Sequence, residues 1–556
     1  MSQKRVIYLP LGGAGEIGMN CYVYGYGPAG KERLIVVDLG VTFPNMETSP
    51  GVNLILPDIA WLEERADQIE AIFITHAHED HVGALPHCWP RLGAKVYTRA
   101  FTGNIARRKM ADNGLPEDVV ETVSAWPQQV EAGPFRVGFV PISHSIPESS
   151  ALVIDTPEGR IVHSGDFKLD ATPVVGEPFD EEMWAEIGKS GVMALACDST
   201  NVMSRSPGRS EITVGPEIEA LVAGAKGMVV ATTFASNVAR VKTLADAGER
   251  AGRSICLLGR AMRRMVEASI ETGVLTKFPK VISPEDARQI PRENLMILAT
   301  GSQGERRAAS AQLSRGKYNG ILMKEGDTFL FSSKTIPGNE REVLRIVNQF
   351  SEMGVDVVDE SSGGHYHVSG HANRPDLERL HEIVNPRSVI PMHGEHRHLR
   401  EHSRLAMAKG YRSALAVNGT MLQIGPDMLD VAEYVETGRT YLDGTVQIGA
   451  MDGVVRDRIR MALNGHVAVS VLIDEENEPL GEPWCELMGL PEIGRSKAPL
   501  LDVLEEDLSQ FLGRASPATL SDDDKLEDEL RRITRSTAQD EIGRKPEVTV
   551  IVSRLS

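Results

Sequence analysis

At 556 residues the chain exceeds what one ordinary core accommodates, and a usual domain size of about 100–200 residues points to several domains. Hydrophobic residues at 41% and charged residues at 25% exclude a disordered, collagen-like or coiled-coil chain. The net charge of −19 argues against a uniformly basic surface for nucleic acid, although part of that acidity is concentrated between Asp502 and Glu529.

In chain order, MSQKRVIYLPLGGAGEIG lacks the apolar run and cleavage site of a secretory signal. No stretch reaches the roughly 18–20 apolar residues that span a bilayer, so a cytoplasmic protein without a membrane segment is expected. The five cysteines are odd in number, scattered and never in C-x-x-C, which predicts a reduced compartment and neither a disulfide framework nor a cysteine zinc knuckle. Gly13-Ala14-Gly15-Glu16-Ile17-Gly18 fits the dinucleotide pattern G-x-G-x-x-G, with Asp38 twenty residues past Gly18. That reading fails on context. A helix must start at the glycines to hold a pyrophosphate, whereas MNCYVYGYGPAGKE alternates like a hairpin.

The runs ERLIVVDLG, EAIFITHAHEDH, FRVGFVPISHS and GRIVHSGDF read as buried strands whose C-terminal ends carry polar chemistry. His76-Ala77-His78-Glu79-Asp80-His81 places four ligand-type residues in six positions after such a strand. Alternation sends His76 and His78 to one side, while Asp80 and His81, entering a turn, reach a second point. Imidazole and carboxylate donors suit zinc, with manganese or magnesium as oxygen-ligand alternatives. One loop cannot complete two coordination spheres. His144, Asp166 and His393 stand at other strand ends as further ligands, and Asp38, at a fourth, is suited to orienting a ligand.

From about Thr213 to 374 the pattern changes to four strand-helix units, which predicts an open parallel sheet inserted between the histidine-bearing segments. Within it, Gly301-Ser302-Gln303-Gly304 reads as a turn at a helix N-terminus able to hold an anion, and Ser332 and Ser333 at the next strand end point the same way. Ser369-Gly370-His371 offers a hydroxyl, a backbone N–H and an imidazole suited to a phosphate oxygen. The helical pattern HRHLREHSRLAMAKG makes His396, His398 and His402 a solvated face rather than ligands. The expected division is 1–212, 213–374 (the insertion), 375–449 (the return of the first domain), a linker at 450–463, and a C-terminal α+β domain at 464–556.

The order Asp38, HAHEDH, His144, Asp166 resembles the metallo-β-lactamase fold, an αβ/βα sandwich. Asp198 in CDSTN, His371 in HVSGHA and His393 in PMHGE resemble the motifs of its β-CASP branch, which processes nucleic acids. With LGGAGEIGMN at the start and an extra C-terminal domain, the layout is similar to the bacterial ribonuclease J family over nearly the whole chain. The resemblance implies two zinc ions per chain, one held by His76, His78 and His144 and the other by Asp80, His81 and His393, with Asp166 bridging. It makes Asp198, His371 and Asp38 catalytic residues, and single-stranded RNA the substrate. It further implies two-metal phosphodiester hydrolysis, both endonucleolytic and 5′-to-3′ exonucleolytic with preference for a 5′-monophosphate, in messenger RNA decay and ribosomal RNA maturation. Homodimers or higher oligomers, and other RNA-decay proteins as partners, belong to the same expectation. A DNA- or 3′-end-directed relative, a scaffold without catalysis and a thioester or lactam hydrolase are the competing readings.

Overall fold

Two sheets that bury one face each against the other build the core that carries the site. The computed structural model describes residues 4–555. In the first sheet the strands run Met428–Tyr434, Thr420–Gly425, Lys4–Gly12, Cys21–Pro28, Arg33–Val37, Ile69–Phe73, Val96–Thr98, Val120–Thr122. In the second they run Arg412–Ser413, Ser388–Met392, Val192–Asp198, Gly159–His163, Ser150–Thr156, Phe135–Pro141, Val130–Ala132. Alternate residues meet between the sheets, with Tyr8, Tyr24, Ile35 and Phe73 facing Phe139, Leu152, Ile161 and Ile390 in one apolar cluster. The opposite face of the second sheet buries Val153, Leu195 and Cys197 under helices carrying Trp184, Leu380 and Leu405. This is the layered arrangement of the expected sandwich.

The inserted segment forms a third sheet, entirely parallel, in the order Val281–Ile282, Ser254–Leu258, Leu295–Ala299, Val229–Thr232, Thr328–Phe331, Asp356–Val358. Its central strands are mostly apolar because helices cover both faces: Val229, Leu257 and Leu298 pack on one side, Val230, Ile297 and Phe329 on the other. The third expected helix is short. Ala309–Ser314 is helical, whereas residues 305–308 form a turn.

Arg240, fully buried, ties the insertion to the first domain. Its guanidinium donates to both carboxylate oxygens of Glu211 at 2.6 and 3.1 Å, and to the carbonyls of Ser332 and Tyr366 at 2.8 Å each. Glu211 and Ser332 are buried as well, and removing Arg240 leaves the Glu211 carboxylate with only Lys168, at 3.9 Å, as a counter-charge. Arg240→Ala is therefore expected to cost about 3–5 kcal/mol. Thermal or denaturant unfolding measures it, and a loss below about 1 kcal/mol would show that the pair does not hold the junction.

The chain divides into two compact units, and the division falls at Arg439 rather than at 449. The second unit takes Phe43–Ile55 and the chain from Thr440 onward. The stretch expected as a linker is helical over Val454–Asn464, and Arg458 on that helix reaches Asp443 at 2.6 Å and the Pro50 carbonyl at 3.4 Å. Beyond that helix this unit contains a three-stranded sheet, Trp484–Met488, His466–Ile473, Glu547–Arg554, packed on helices Leu500–Leu512 and Asp523–Ile542 through Val469, Leu504, Leu508 and Leu530. Among the described residues no helix is long and apolar enough to cross a membrane.

Candidate metal centre and phosphate site

The strand Ile69–Phe73 delivers His76 and His78, and a helical turn beginning at Glu79 brings Asp80 and His81 back toward them. Residues 38–41 pack backbone to backbone against this turn: Leu39 N–H donates to the His81 carbonyl at 2.8 Å and Val41 N–H to the Glu79 carbonyl at 3.0 Å. The approach is so close that a Cβ on Gly40 would lie 1.6 Å from the Asp80 carbonyl oxygen, so only glycine fits there.

His76, His78 and His144 offer ligand atoms within 4.8 Å of one another, as do Asp80, His81, Asp166 and His393. Asp166 lies at the meeting point. Its Oδ2 is 3.2 Å from His81 Nε2, 3.4 Å from His393 Nε2, and 3.9 Å from the Nε2 atoms of both His76 and His144. Its Oδ1 is buried without a hydrogen-bond partner. His78 Nδ1 faces His76 Nε2 at 3.2 Å and His144 Nε2 at 3.1 Å. Three ring nitrogens converging on one point cannot all be satisfied by one another's protons, but they suit a cation, and the orphaned carboxylate oxygen suits a second contact to it. The residues present therefore fit divalent metal.

Electrostatics favour the same reading. Burial lowers the pKa of His76 and His144 well below the ordinary imidazole value and that of His78 to about 4, so these rings keep free lone pairs at neutral pH. Burial also opposes charge on Asp166 and His81. Nevertheless the surrounding imidazoles, His393 foremost, hold Asp166 well below the usual carboxylate range, and Asp166, Asp80 and Asp38 hold His81 well above its own.

A surrounding shell fixes which nitrogen of each ring points inward. His81 Nδ1 meets Asp38 at 2.7 Å, and His76 Nδ1 meets Thr75 Oγ1 at 3.0 Å, which itself donates to Asp38. His144 Nδ1 donates to the Gly370 carbonyl at 2.6 Å, His393 Nδ1 meets Asn20 Oδ1 at 2.7 Å, and His78 Nε2 meets Ser236 Oγ at 3.1 Å. Asp38 is thus an orienting group. Asn20, Thr75 and Ser236 are orienting residues that the sequence analysis does not single out, although Asn20 lies in LGGAGEIGMN and Thr75 in EAIFITHAHEDH. The glycine-rich loop itself supports the centre: Gly394 N–H donates to the Gly13 and Glu16 carbonyls at 3.2 Å, next to His393.

Asp198 and His371 stand beside this cluster. His371 Nδ1 lies 2.8 Å from Asp198 Oδ2, and both residues, with Asp166 and His393, offer atoms within 4.8 Å of one another. Asn201 holds the turn through Ser369 Oγ at 2.7 Å, and the His371 N–H donates to the same oxygen at 3.1 Å, which leaves the Ser369 proton free for a ligand. The second anion loop is different. Gln303 N–H is taken by the Glu305 carboxylate at 3.0 Å, Ser302 is buried, and residues 305–308 separate Gly301–Gly304 from the helix, so the expected helix-terminus anion site does not form. Ser332 is likewise committed, its hydroxyl donating to the Tyr366 carbonyl at 2.8 Å and accepting from Arg240 at 3.0 Å. Ser333 keeps a buried hydroxyl without a partner. His398 and His402 are buried, not a solvated face, because helix His396–Ala408 packs that side on the second sheet, while His396 is exposed.

Compared with known proteins, the chain is 39% identical to Ribonuclease J of Sinorhizobium meliloti over 99% of this chain and 98% of that one. The chain belongs to the ribonuclease J family. It is 33% identical to Ribonuclease J of Mycolicibacterium smegmatis, covering 98% of this chain and 96% of the relative, and 33% identical to Ribonuclease J 1 of Streptococcus pyogenes, covering 85% and 84%. Family models match as the metallo-beta-lactamase superfamily at residues 14–193, the ribonuclease J beta-CASP domain at 226–350, the Zn-dependent metallo-hydrolase RNA specificity domain at 365–416 and the ribonuclease J C-terminal domain at 453–555. A crystal structure of a protein of unknown function from Enterococcus faecalis shares the fold, with a TM-score of 0.52 at 16% identity over 75% of this chain and 100% of that one. This ribonuclease J family chain thus combines a metallo-β-lactamase sandwich, whose fold binds divalent metal, with an inserted β-CASP sheet and a further C-terminal domain.

Proposed function

We infer that this chain is a metal-dependent ribonuclease that hydrolyses phosphodiester bonds of single-stranded RNA. The observation that carries the reading is the Asp198–His371 pair set against the Asp166-centred cluster, an imidazole facing the centre that ligation of two cations does not itself require. We assign His76, His78 and His144 to one zinc ion, Asp80, His81 and His393 to a second, and Asp166 to both, with manganese or magnesium as alternatives. When bound, the metal supplies Lewis-acid activation of water and of the phosphate.

The residues of the chain do the remaining work. Ser369, with its proton free, and the Gly370–His371 turn hold a phosphate oxygen. Asp198 accepts the His371 Nδ1 proton, which turns Nε2 toward the substrate. Burial works against a charged ring, but the Asp198 carboxylate, helped by Asp166 and Asp80, raises the His371 pKa to about 9. As the P–O3′ bond breaks, His371 donates its Nε2 proton to the leaving 3′-oxygen, giving a 5′-phosphate and a 3′-hydroxyl. Cleavage proceeds both internally and 5′-to-3′ from a monophosphorylated end, in messenger RNA decay and ribosomal RNA maturation, by a cytoplasmic homodimer or higher oligomer.

End-labelled RNA carrying either a 5′-monophosphate or a 5′-triphosphate, digested beside DNA and a thioester, tests this reading. Rapid exonucleolysis of the monophosphorylated RNA alone is expected. Equal rates on both ends would remove the 5′-end preference, and thioester cleavage without RNA cleavage would overturn the function.

Asp198→Asn is expected to lower kcat by at least about 10²-fold with metal content retained, since general acid-base catalysis contributes about 10²–10⁴-fold. Activity that needs protonated His371 falls as pH rises through its pKa. Loss of the nearest counter-charge lowers that pKa, so the alkaline limb of the pH–rate profile moves to lower pH. An unmoved limb would separate Asp198 from the protonation of His371.

A further inference from the structure

Behind the Asp198–His371 pair, on the far face of the second sheet, three further ligand-type side chains meet. Cys197 comes from the strand Val192–Asp198, His381 from helix Arg374–Val384 and His402 from helix His396–Ala408, and all three are fully buried. Their ligand atoms lie within 4.8 Å of one another. The two imidazoles point Nε2 to Nε2 at 3.1 Å, with ring planes 6° apart. Two ligands at about 2.0–2.1 Å from a tetrahedral zinc ion stand roughly 3.3 Å apart, so little movement separates the observed pair from a coordinating one. His402 Nδ1 meets Ser199 Oγ at 2.9 Å, the kind of outer partner that fixes a ligating tautomer. His381 Nδ1 is buried without a partner, so the pair as a mere hydrogen bond leaves a polar atom unsatisfied beside Leu377, Leu380 and Leu405.

We propose that Cys197, His381 and His402 form a third metal site, structural in role, that takes zinc. The donor set of one thiolate and two imidazoles is chemically distinct from the oxygen- and nitrogen-only centre at Asp166. Binding exchanges the Cys197 thiol proton for the metal: the S–H bond is lost, a metal–sulfur bond forms, and the proton leaves to solvent. The site clamps two helices to the strand end that carries Asp198 and, through Ser199, stiffens the backbone on which the catalytic pair rests.

Two measurements on the full-length chain test the proposal independently of ribonuclease activity. X-ray absorption at the zinc edge of the protein as purified is expected to show sulfur in the zinc coordination shell, and metal analysis to give three ions per chain. After exchange with cobalt(II), a thiolate-to-cobalt charge-transfer band is expected; the Asp166 centre has no sulfur donor and contributes none. Cys197→Ser abolishes the band and lowers the count from three to two. His381→Leu, an apolar replacement in an apolar surround, lowers the count in the same way and serves if Cys197→Ser does not fold. Two metal ions per chain with no zinc–sulfur scattering, or a charge-transfer band that survives both substitutions, would overturn the site. Loss of the Asp166-centred metals instead would leave the band intact and bear on the proposed function alone.

Discussion

Replacing Asp166 by Ala is expected to strip metal from both proposed sites and to leave no measurable RNA hydrolysis. Asp166 Oδ2 is within 3.9 Å of four imidazole nitrogens, so its removal takes away the one anion common to both ligand groups. Loss of a mere outer partner already costs about 10–100-fold in metal affinity, so loss of the shared carboxylate is expected to exceed that range. Fold stability of the metal-free protein is expected to change little, because burial already disfavours the charged forms of His76 and His144, and His81 keeps its contact with Asp38 at 2.7 Å. Metal analysis, circular dichroism and RNA cleavage on the purified variant check this. Full metal content with retained activity would end the two-metal assignment.

His393→Ala and His371→Ala are expected to fail in different ways although the two rings stack 5.7 Å apart. His393 is oriented by Asn20 and points Nε2 at Asp166, so its loss should empty one metal site. His371 is oriented by Asp198, and its loss should keep both metals while lowering turnover by about 10²–10⁴-fold, the usual contribution of a general acid. Metal stoichiometry beside single-turnover rates separates the two. The reverse pattern, with His371→Ala emptying a site and His393→Ala not, would exchange their roles.

How far these residues could be read beforehand depended on what kind of signal they carry. HAHEDH announces itself because four donors crowd one strand end, and His144, Asp166 and His393 because each ends an apolar run. Polar donors there have no packing purpose, so residue type and local period are enough. The parallel inserted sheet was legible for the same reason, since its central strands, buried on both faces, are mostly apolar.

Other features have no local signal. Asp38 and His393 adopt left-handed backbone, with φ of 64° and 47°, a conformation that neither residue type announces and that the surrounding backbone contacts impose. Ser332 was misread because a strand-end serine looks alike whether it faces a ligand or, as here, Arg240 and the Tyr366 carbonyl. His402 was misread because a helix of polar residues does not reveal which side a sheet will cover. By itself the sequence determined the donor types, the strand ends that carry them and the layered fold, because these follow from residue chemistry and from periods of 2 and 3.6. Only the tertiary structure decided which nitrogen of each histidine faces the centre, that Asn20 and Ser236 hold two of them, and that Cys197 meets His381 and His402, because those choices depend on contacts between residues up to 373 positions apart.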